Sequence, residues 1–244
     1  MPRVPILMYH RIGKAPRGSL VPGHYVAPAL FRRHMTLLRA LWYRTVSLDQ
    51  MAAGLQDGSL PERTVVITFD DGYRSFYDSA LPILRETGFK ATVFLVSDLI
   101  GKENAWDLDK GDKPEPLMSR EQILEAAKAG VEFGSHSKTH AELTAIEPER
   151  AWCEISESKS DLESNLGLPI RWFCYPYGAF DGATREMVQR AGYVGACATG
   201  AFANGPEADR FALGRINVRK TTSAFRLSRK LAKSFREEQR LPPA

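Results

Sequence analysis

The sequence predicts an α/β protein, a mainly parallel sheet covered by helices. Three observations carry that expectation. Short β-branched or aromatic runs alternate with amphipathic stretches along nearly all of the 244 residues, which is the pattern of βα units rather than of hairpins. Helical stretches end at Gly88, Gly130, Gly167 and Gly192, and glycine is the residue that tolerates the left-handed turn closing a helix. No repeat or linker interrupts the series. Since α/β barrels of about 200–250 residues are commonly single units, residues 1–244 read as one catalytic domain.

In order, Pro5 to Tyr9 reads as a strand and Pro28 to Leu41 as an amphipathic helix. Tyr43 to Leu48 is a short strand. Val65 to Phe69 opens on an unbroken β-branched run, the mark of a strand buried on both faces. Ser75 to Thr87 is helical and tolerates Pro82. Ala91 to Val96 is a strand. Ser119 to Ala129 is a helix whose first turn carries a capping box, Ser119 with Gln122. Val131 to Gly134 is a strand, and Pro148 to Leu166 a long polar-faced helix. Trp172 to Tyr175 is a strand, Ala183 to Ala191 a helix, Val194 to Ala198 a strand and Phe225 to Glu238 the last helix. The stretch from Ser97 to Met118 has no period of its own and holds Trp106, Asp107 and Asp109. Irregular segments of that length are usually functional. Following a strand's carboxyl end, it would hang over a site, where Trp106 either stacks on a sugar ring or anchors its own loop.

Composition narrows the class. Apolar residues at 43% suit an ordinary globular core, and 33 basic against 29 acidic residues leave a net charge of only +4. No Lys/Arg block resembles a nucleic-acid-binding tail. Cys153, Cys174 and Cys197 are odd in number and widely spaced, against a disulfide framework. No run approaches the roughly 20 apolar residues of a membrane span, and the first ten residues lack a signal-peptide pattern. The expectation is a cytoplasmic protein. The basic segment from Phe225 to Arg236 reads as a helix docked on the barrel, with weak contact to acidic lipid as the alternative.

The chemistry lies in two short segments. Thr68-Phe69-Asp70-Asp71-Gly72 puts two carboxylates at the end of the buried strand, and alternation predicts that they point to opposite faces, free to do different work. His136-Ser137-Lys138-Thr139-His140 follows a second strand, and in a helical turn that spacing brings both imidazoles to one side. A carboxylate with two histidines leaves a coordination position open, as a catalytic metal site requires. Either segment alone is commonplace. Both closing strands of one α/β sheet points to a hydrolase's metal centre.

These segments, with Phe173-Cys174-Tyr175-Pro176-Tyr177-Gly178, resemble in order and spacing the three motifs of the polysaccharide deacetylases of carbohydrate esterase family 4. The resemblance spans roughly residues 4 to 220. It implies an irregular (β/α) barrel of about seven parallel strands and a hydrolase that removes N-acetyl groups from N-acetylhexosamine units of a glycan. It further implies Asp70 as the base and Asp71, His136 and His140 as ligands of a divalent metal, zinc first, with cobalt, nickel or iron as alternatives. The backbone N–H of Tyr177, set by Pro176, would hold the oxyanion.

Two departures stand out. Cys174 occupies the position of the family's arginine, which makes Arg215 the candidate for the missing charge. No histidine follows His140, where the family's acid normally lies. His10, at the end of the first strand, fills that role by resemblance to the permuted subgroup that deacetylates poly-N-acetylglucosamine. By the same reading, His34 is structural and His24 sits exposed in a loop. Two rivals are a hydrolase of a cyclic or other non-sugar amide and a non-catalytic carbohydrate-binding relative. Relatives of those kinds usually lack part of the metal triad or the first aspartate, and both are intact here.

Overall fold

The computed structural model describes residues 2–108 and 110–239. Asp109, which the sequence reading set in the loop over the site, lies outside the described residues. Among the described residues ten strands form: β1 (Ile6–Tyr9), β2 (Arg11–Ile12), β3 (Tyr25–Val26), β4 (Arg44–Thr45), β5 (Thr64–Phe69), β6 (Thr92–Leu95), β7 (Glu132–Ser135), β8 (Trp172–Cys174), β9 (Gly195–Cys197) and β10 (Ile216–Asn217). The main sheet runs β10-β1-β5-β6-β7-β8-β9, with β4 also on β5, and every pairing is parallel. Leu213 bridges Cys197 of β9 just before the chain enters β10. The strip 213–217 therefore touches both ends of the path and draws it into an irregular barrel of seven strands. The fold class predicted from sequence is the one observed.

Among the described residues eight α-helices accompany the sheet: α1 (Pro28–Ala40), α2 (Leu48–Asp57), α3 (Leu81–Thr87), α4 (Ala105–Leu108), α5 (Arg120–Lys128), α6 (Pro148–Leu166), α7 (Gly182–Arg190) and α8 (Ala224–Ser234). Alternation along each strand divides the apolar residues into two cores. Leu7, Tyr9, Val65, Ile67, Phe69, Val93 and Phe173 face the surrounding helices. Ile6, Val66, Phe94, Trp172, Cys174 and Cys197 fill the barrel interior. Trp172 takes most of that inner space. A Cβ on Gly134 would stand 2.7 Å from both the Phe94 ring and the Trp172 carbonyl, and one on Gly195 would strike the Trp172 ring. The next inward positions along the strands, Thr68, Asp70 and His136, are polar. The barrel thus carries an apolar layer below and a reactive layer above.

Several expectations are corrected. The Tyr43 to Leu48 strand is only Arg44–Thr45, because Ser47 caps a helix there. Its hydroxyl accepts from the Gln50 N–H while Gln50 returns a bond to the Ser47 N–H, and Gly58 closes α2 at φ 73°. This capping box was legible but unread. Leu48 and Met51 of α2 plug the barrel's lower end. The helix expected over Ser75 to Thr87 forms without interruption, with one turn, Phe76–Ala80, widened to a π-turn ahead of α3. Pro82 has no N–H and crowds the carbonyl four residues back, so the ladder resets ahead of it. The final helix stops at Ser234, short of Glu238. The segment Ser97 to Met118 is not wholly irregular: it contains α4 and is pinned by the bridges Glu103–Pro116 and Tyr73–Leu117. Helix α8 docks through Leu227, Leu231 and Ser234. Among the described residues no helix is long and apolar enough to cross a membrane.

Trp172 also donates from its indole to Asp49 of α2 at 2.9 Å, so it ties the plug to the barrel. Trp172→Ala should therefore lower unfolding stability by about 3–5 kcal/mol, the usual cost of emptying a large buried site. Urea denaturation checks this, and a loss under about 1 kcal/mol would show that the barrel does not depend on its filler.

Candidate active site

The carboxyl ends of β1, β5, β7 and β8 open into one cleft of about 380 Å³. Residues Asp70, Asp71, His136, His140, His10, Trp106, Tyr177 and Arg215 all line it, whereas Pro176 is buried beneath its rim. The two carboxylates do not diverge to opposite faces. The strand ends at Phe69, and Asp71 and Gly72 both take φ 75°, which swings Asp71 back beside Asp70. Gly72 is required there, because a Cβ would lie 2.8 Å from Leu95 and the left-handed turn is strained for other residues.

Asp71 Oδ1 stands 3.4 Å from His136 Nε2 and 3.3 Å from His140 Nε2. It is buried and has no hydrogen-bond partner. His136 Nδ1 is 2.8 Å from the Cys174 carbonyl. A carbonyl only accepts, so this nitrogen donates and a neutral ring presents its Nε2 lone pair to Asp71. One carboxylate oxygen and two imidazole nitrogens converge in a buried place, and the carboxylate–imidazole set suits a divalent cation. The residues fit a metal.

His136 and His140 do not sit on a helical turn. They bracket a loop in which Ser137 and His140 have φ 65° and 68°. Helix α6 holds this loop from below. Glu154, 4% exposed, accepts from the N–H of Lys138 at 3.0 Å, and from the N–H and hydroxyl of Thr139 at 2.8 and 2.5 Å. Sequence reasoning missed Glu154. Its signal was an acid in the apolar stripe Ala151, Ile155, Leu162 of a helix otherwise polar outward.

Arg215, 2% exposed, meets Asp70 with both arms, Nη1 to Oδ1 at 2.6 Å and Nη2 to Oδ2 at 2.8 Å. Its other donors reach the Ala198 carbonyl, the Thr68 hydroxyl and the Cys174 sulfur. All five N–H positions of the guanidinium are thereby used. Cys174 is buried and completes that inventory. Burial alone would raise the Asp70 pKa, but the charge and hydrogen bonds of Arg215, with His136 and His10 adding to them, hold the carboxyl below its ordinary value.

His10 Nε2 lies 4.0 Å from Asp70 Oδ2. Burial, with His24 adding to it and Asp70 opposing, lowers the His10 pKa to about 3. His24 is not exposed, as its loop had suggested. It is half-buried, lines the cleft and stacks on His10 with ring centroids 4.1 Å apart. His34 is buried between the Tyr9 hydroxyl and the Thr222 carbonyl, away from the cleft. Trp106 stacks on His140 at 4.4 Å, and Tyr177 meets His140 edge-on at 4.7 Å. Tyr177 holds φ 60°, a left-handed turn between Pro176 and Gly178.

The sequence profile of the polysaccharide deacetylases matches residues 57–196. YxkH of Bacillus subtilis (strain 168), a protein named for those deacetylases, is 30% identical over 217 residues, spanning 88% of this chain and 71% of YxkH. This chain belongs to the polysaccharide deacetylase family. It is a hydrolase that deacetylates polysaccharide. The poly-β-1,6-N-acetyl-D-glucosamine N-deacetylase of Staphylococcus aureus (strain MSSA476) is 23% identical over 205 residues, 76% of this chain and 68% of its own. The Streptococcus pyogenes deacetylase PplD in complex with acetate shares the fold at TM-score 0.81 and 24% identity, covering 94% of this chain and 98% of that one. IcaB from Ammonifex degensii does so at 0.78 and 22%, covering 93% and 96%.

Because Glu154 fixes the loop that carries both imidazoles, Glu154→Ala should weaken divalent metal binding roughly 10–100-fold, the usual effect of losing an outer support. Titration of the purified variant with zinc or cobalt reads this directly. Affinity equal to wild type would show that the loop keeps its shape unaided.

Proposed function

We propose that the chain removes the N-acetyl group from N-acetylhexosamine units of a glycan, with Asp71, His136 and His140 holding a divalent metal, zinc, and with Asp70 as base and His10 as acid. The observation that carries the reading is the pairing of two adjacent buried carboxylates with unlike partners: Asp70 engaged by Arg215, and Asp71 within 3.4 Å of two imidazole nitrogens. The Staphylococcus aureus relative, named for an N-acetylglucosamine polymer, supports the substrate class.

An acetamide resists hydrolysis because its carbonyl is a weak electrophile and its amine a poor leaving group. When bound, the metal supplies Lewis acidity, which lowers the pKa of water and polarises a carbonyl. Asp70 takes the attacking water's proton. Arg215 keeps that carboxylate ionised and aims it, since the bidentate contact fixes the carboxyl plane. The Tyr177 N–H, presented by the turn Pro176–Gly178, helps hold the oxyanion; one such donor is typically worth about 3–4 kcal/mol. His10 then gives a proton to the departing amine. Its lowered pKa leaves it neutral at rest, so the proton that Asp70 collects must reach it across 4.0 Å, longer than a hydrogen bond, by way of a bridging water or substrate group. Trp106 and Tyr177 flank His140 and form an aromatic wall against which a sugar ring can lie.

Metal-reconstituted protein, offered a panel of N-acetylated glycans, should release acetate and a free amine in equal amounts from at least one. Acetate from none, with metal bound, overturns the proposal. Asp70→Asn should keep its metal and lose turnover by about 10²–10⁴-fold, because an amide cannot accept the proton. Elemental analysis beside an acetate assay tests the pair, and near-normal activity would reassign the two aspartates. His10→Ala should slow amide hydrolysis far more than hydrolysis of an activated aryl acetate, whose phenolate leaves unprotonated. Equal losses on both substrates would remove His10 from the acid role.

A further inference from the structure

Arg11 is a buried cation for which the proposed chemistry has no use. It is 1% exposed, and its guanidinium lies between two tyrosines, 5.0 Å from the centre of the Tyr25 ring and 4.1 Å from that of Tyr73. It donates to the Tyr73 hydroxyl and to Asp107 Oδ2, the latter at 3.1 Å. A charge taken out of water must be repaid by its partners, and these partners join two loops that face each other across the cleft.

One loop is the segment 13–24, which brings His24 onto His10. The other is the segment 97–118, which brings Trp106 onto His140. Arg11 begins the first and grips Asp107, the neighbour of Trp106, in the second. Two further ties run parallel to it: the Tyr25 hydroxyl donates to Glu115 at 2.8 Å, and the Leu20 N–H donates to Asp112 at 2.8 Å. Asn104 completes the grip, donating to the same Asp107 oxygen at 3.2 Å.

We infer that Arg11 is a positioning residue that registers the two walls of the cleft, the wall packed on His10 and the wall packed on His140. It touches no reacting atom. Its effect passes through Asp107 to Trp106 on one side and through the chain it opens to His24 on the other. The inference rests on the proposed function only for the work given to His10 and His140.

The test is Arg11→Gln in the full chain, read first by hydrogen exchange. Amides of 97–118 and of 13–25 should lose protection together by 10-fold or more, while those of β5 and α6 keep theirs. Acrylamide quenching of Trp106, taken as the difference between each protein and its Trp106→Phe version, should rise about 2-fold. Arg11→Lys keeps the charge but not the planar fork that reaches two acceptors while stacked. It should recover only part of the protection. On an accepted glycan, Arg11→Gln should lower kcat/KM more than 10-fold. Exchange unchanged in either loop, or raised equally throughout the molecule, overturns the inference. If Arg11→Gln does not fold, Asp107→Asn breaks the same grip from the other side and is held to the same outcomes. Exchange and quenching need no substrate, so failure to deacetylate any glycan would sink the proposed function without deciding this one.

Discussion

The paired contact between Arg215 and Asp70 is the interaction on which the upper half of the barrel is organised. A carboxylate buried to this degree would protonate without a partner, and a guanidinium would not remain there at all. Each makes the other possible. The remaining donors of Arg215 then reach a backbone carbonyl after β9, a hydroxyl on β5 and a sulfur on β8. One cation thereby joins three strands at the level where the apolar filling ends. Because the pair is bidentate, it also fixes the plane of the Asp70 carboxyl.

The second aspartate is governed by a different constraint. It leaves the strand through a left-handed residue and lands among imidazoles rather than beside the arginine. Those imidazoles are oriented from outside the cleft, His136 by the Cys174 carbonyl and the His136–His140 loop by Glu154. Two carboxylates with adjacent numbers thus meet opposite electrostatic surroundings. The different surroundings of the two follow from the backbone turn at Asp71 and Gly72, with no difference in side-chain chemistry.

Much of this was legible in the chain. Val65-Val66-Ile67 announced a buried strand, the glycines after helices announced their ends, and the three ordered motifs marked the strands that carry the site. The errors were local. Ser47 with Gln50 signalled a helix that was read as the end of a strand. Pro82 is tolerated within its helix, as expected, but only by a π-turn that the sequence pattern does not show. Phe225 to Glu238 kept helical character on paper beyond the point where its buried stripe ends at Ser234. His24 looked exposed because a loop rich in proline and glycine carries no sign of what it will pack against.

The sequence by itself determined the class of fold and the kinds of side chain at the strand ends, because periodicity and turn residues are short-range properties that neighbouring residues decide. By resemblance to the family, whose arginine is replaced at Cys174, it could nominate Arg215 for the missing charge. Only the tertiary structure decided that Arg215 lies in the plane of Asp70, that Glu154 supports the histidine loop, and that Arg11 reaches Asp107, 96 residues further along the chain. Those contacts join residues separated by many elements. Their partners are selected by barrel closure and by the cost of leaving a buried charge alone, neither of which leaves a local pattern to read.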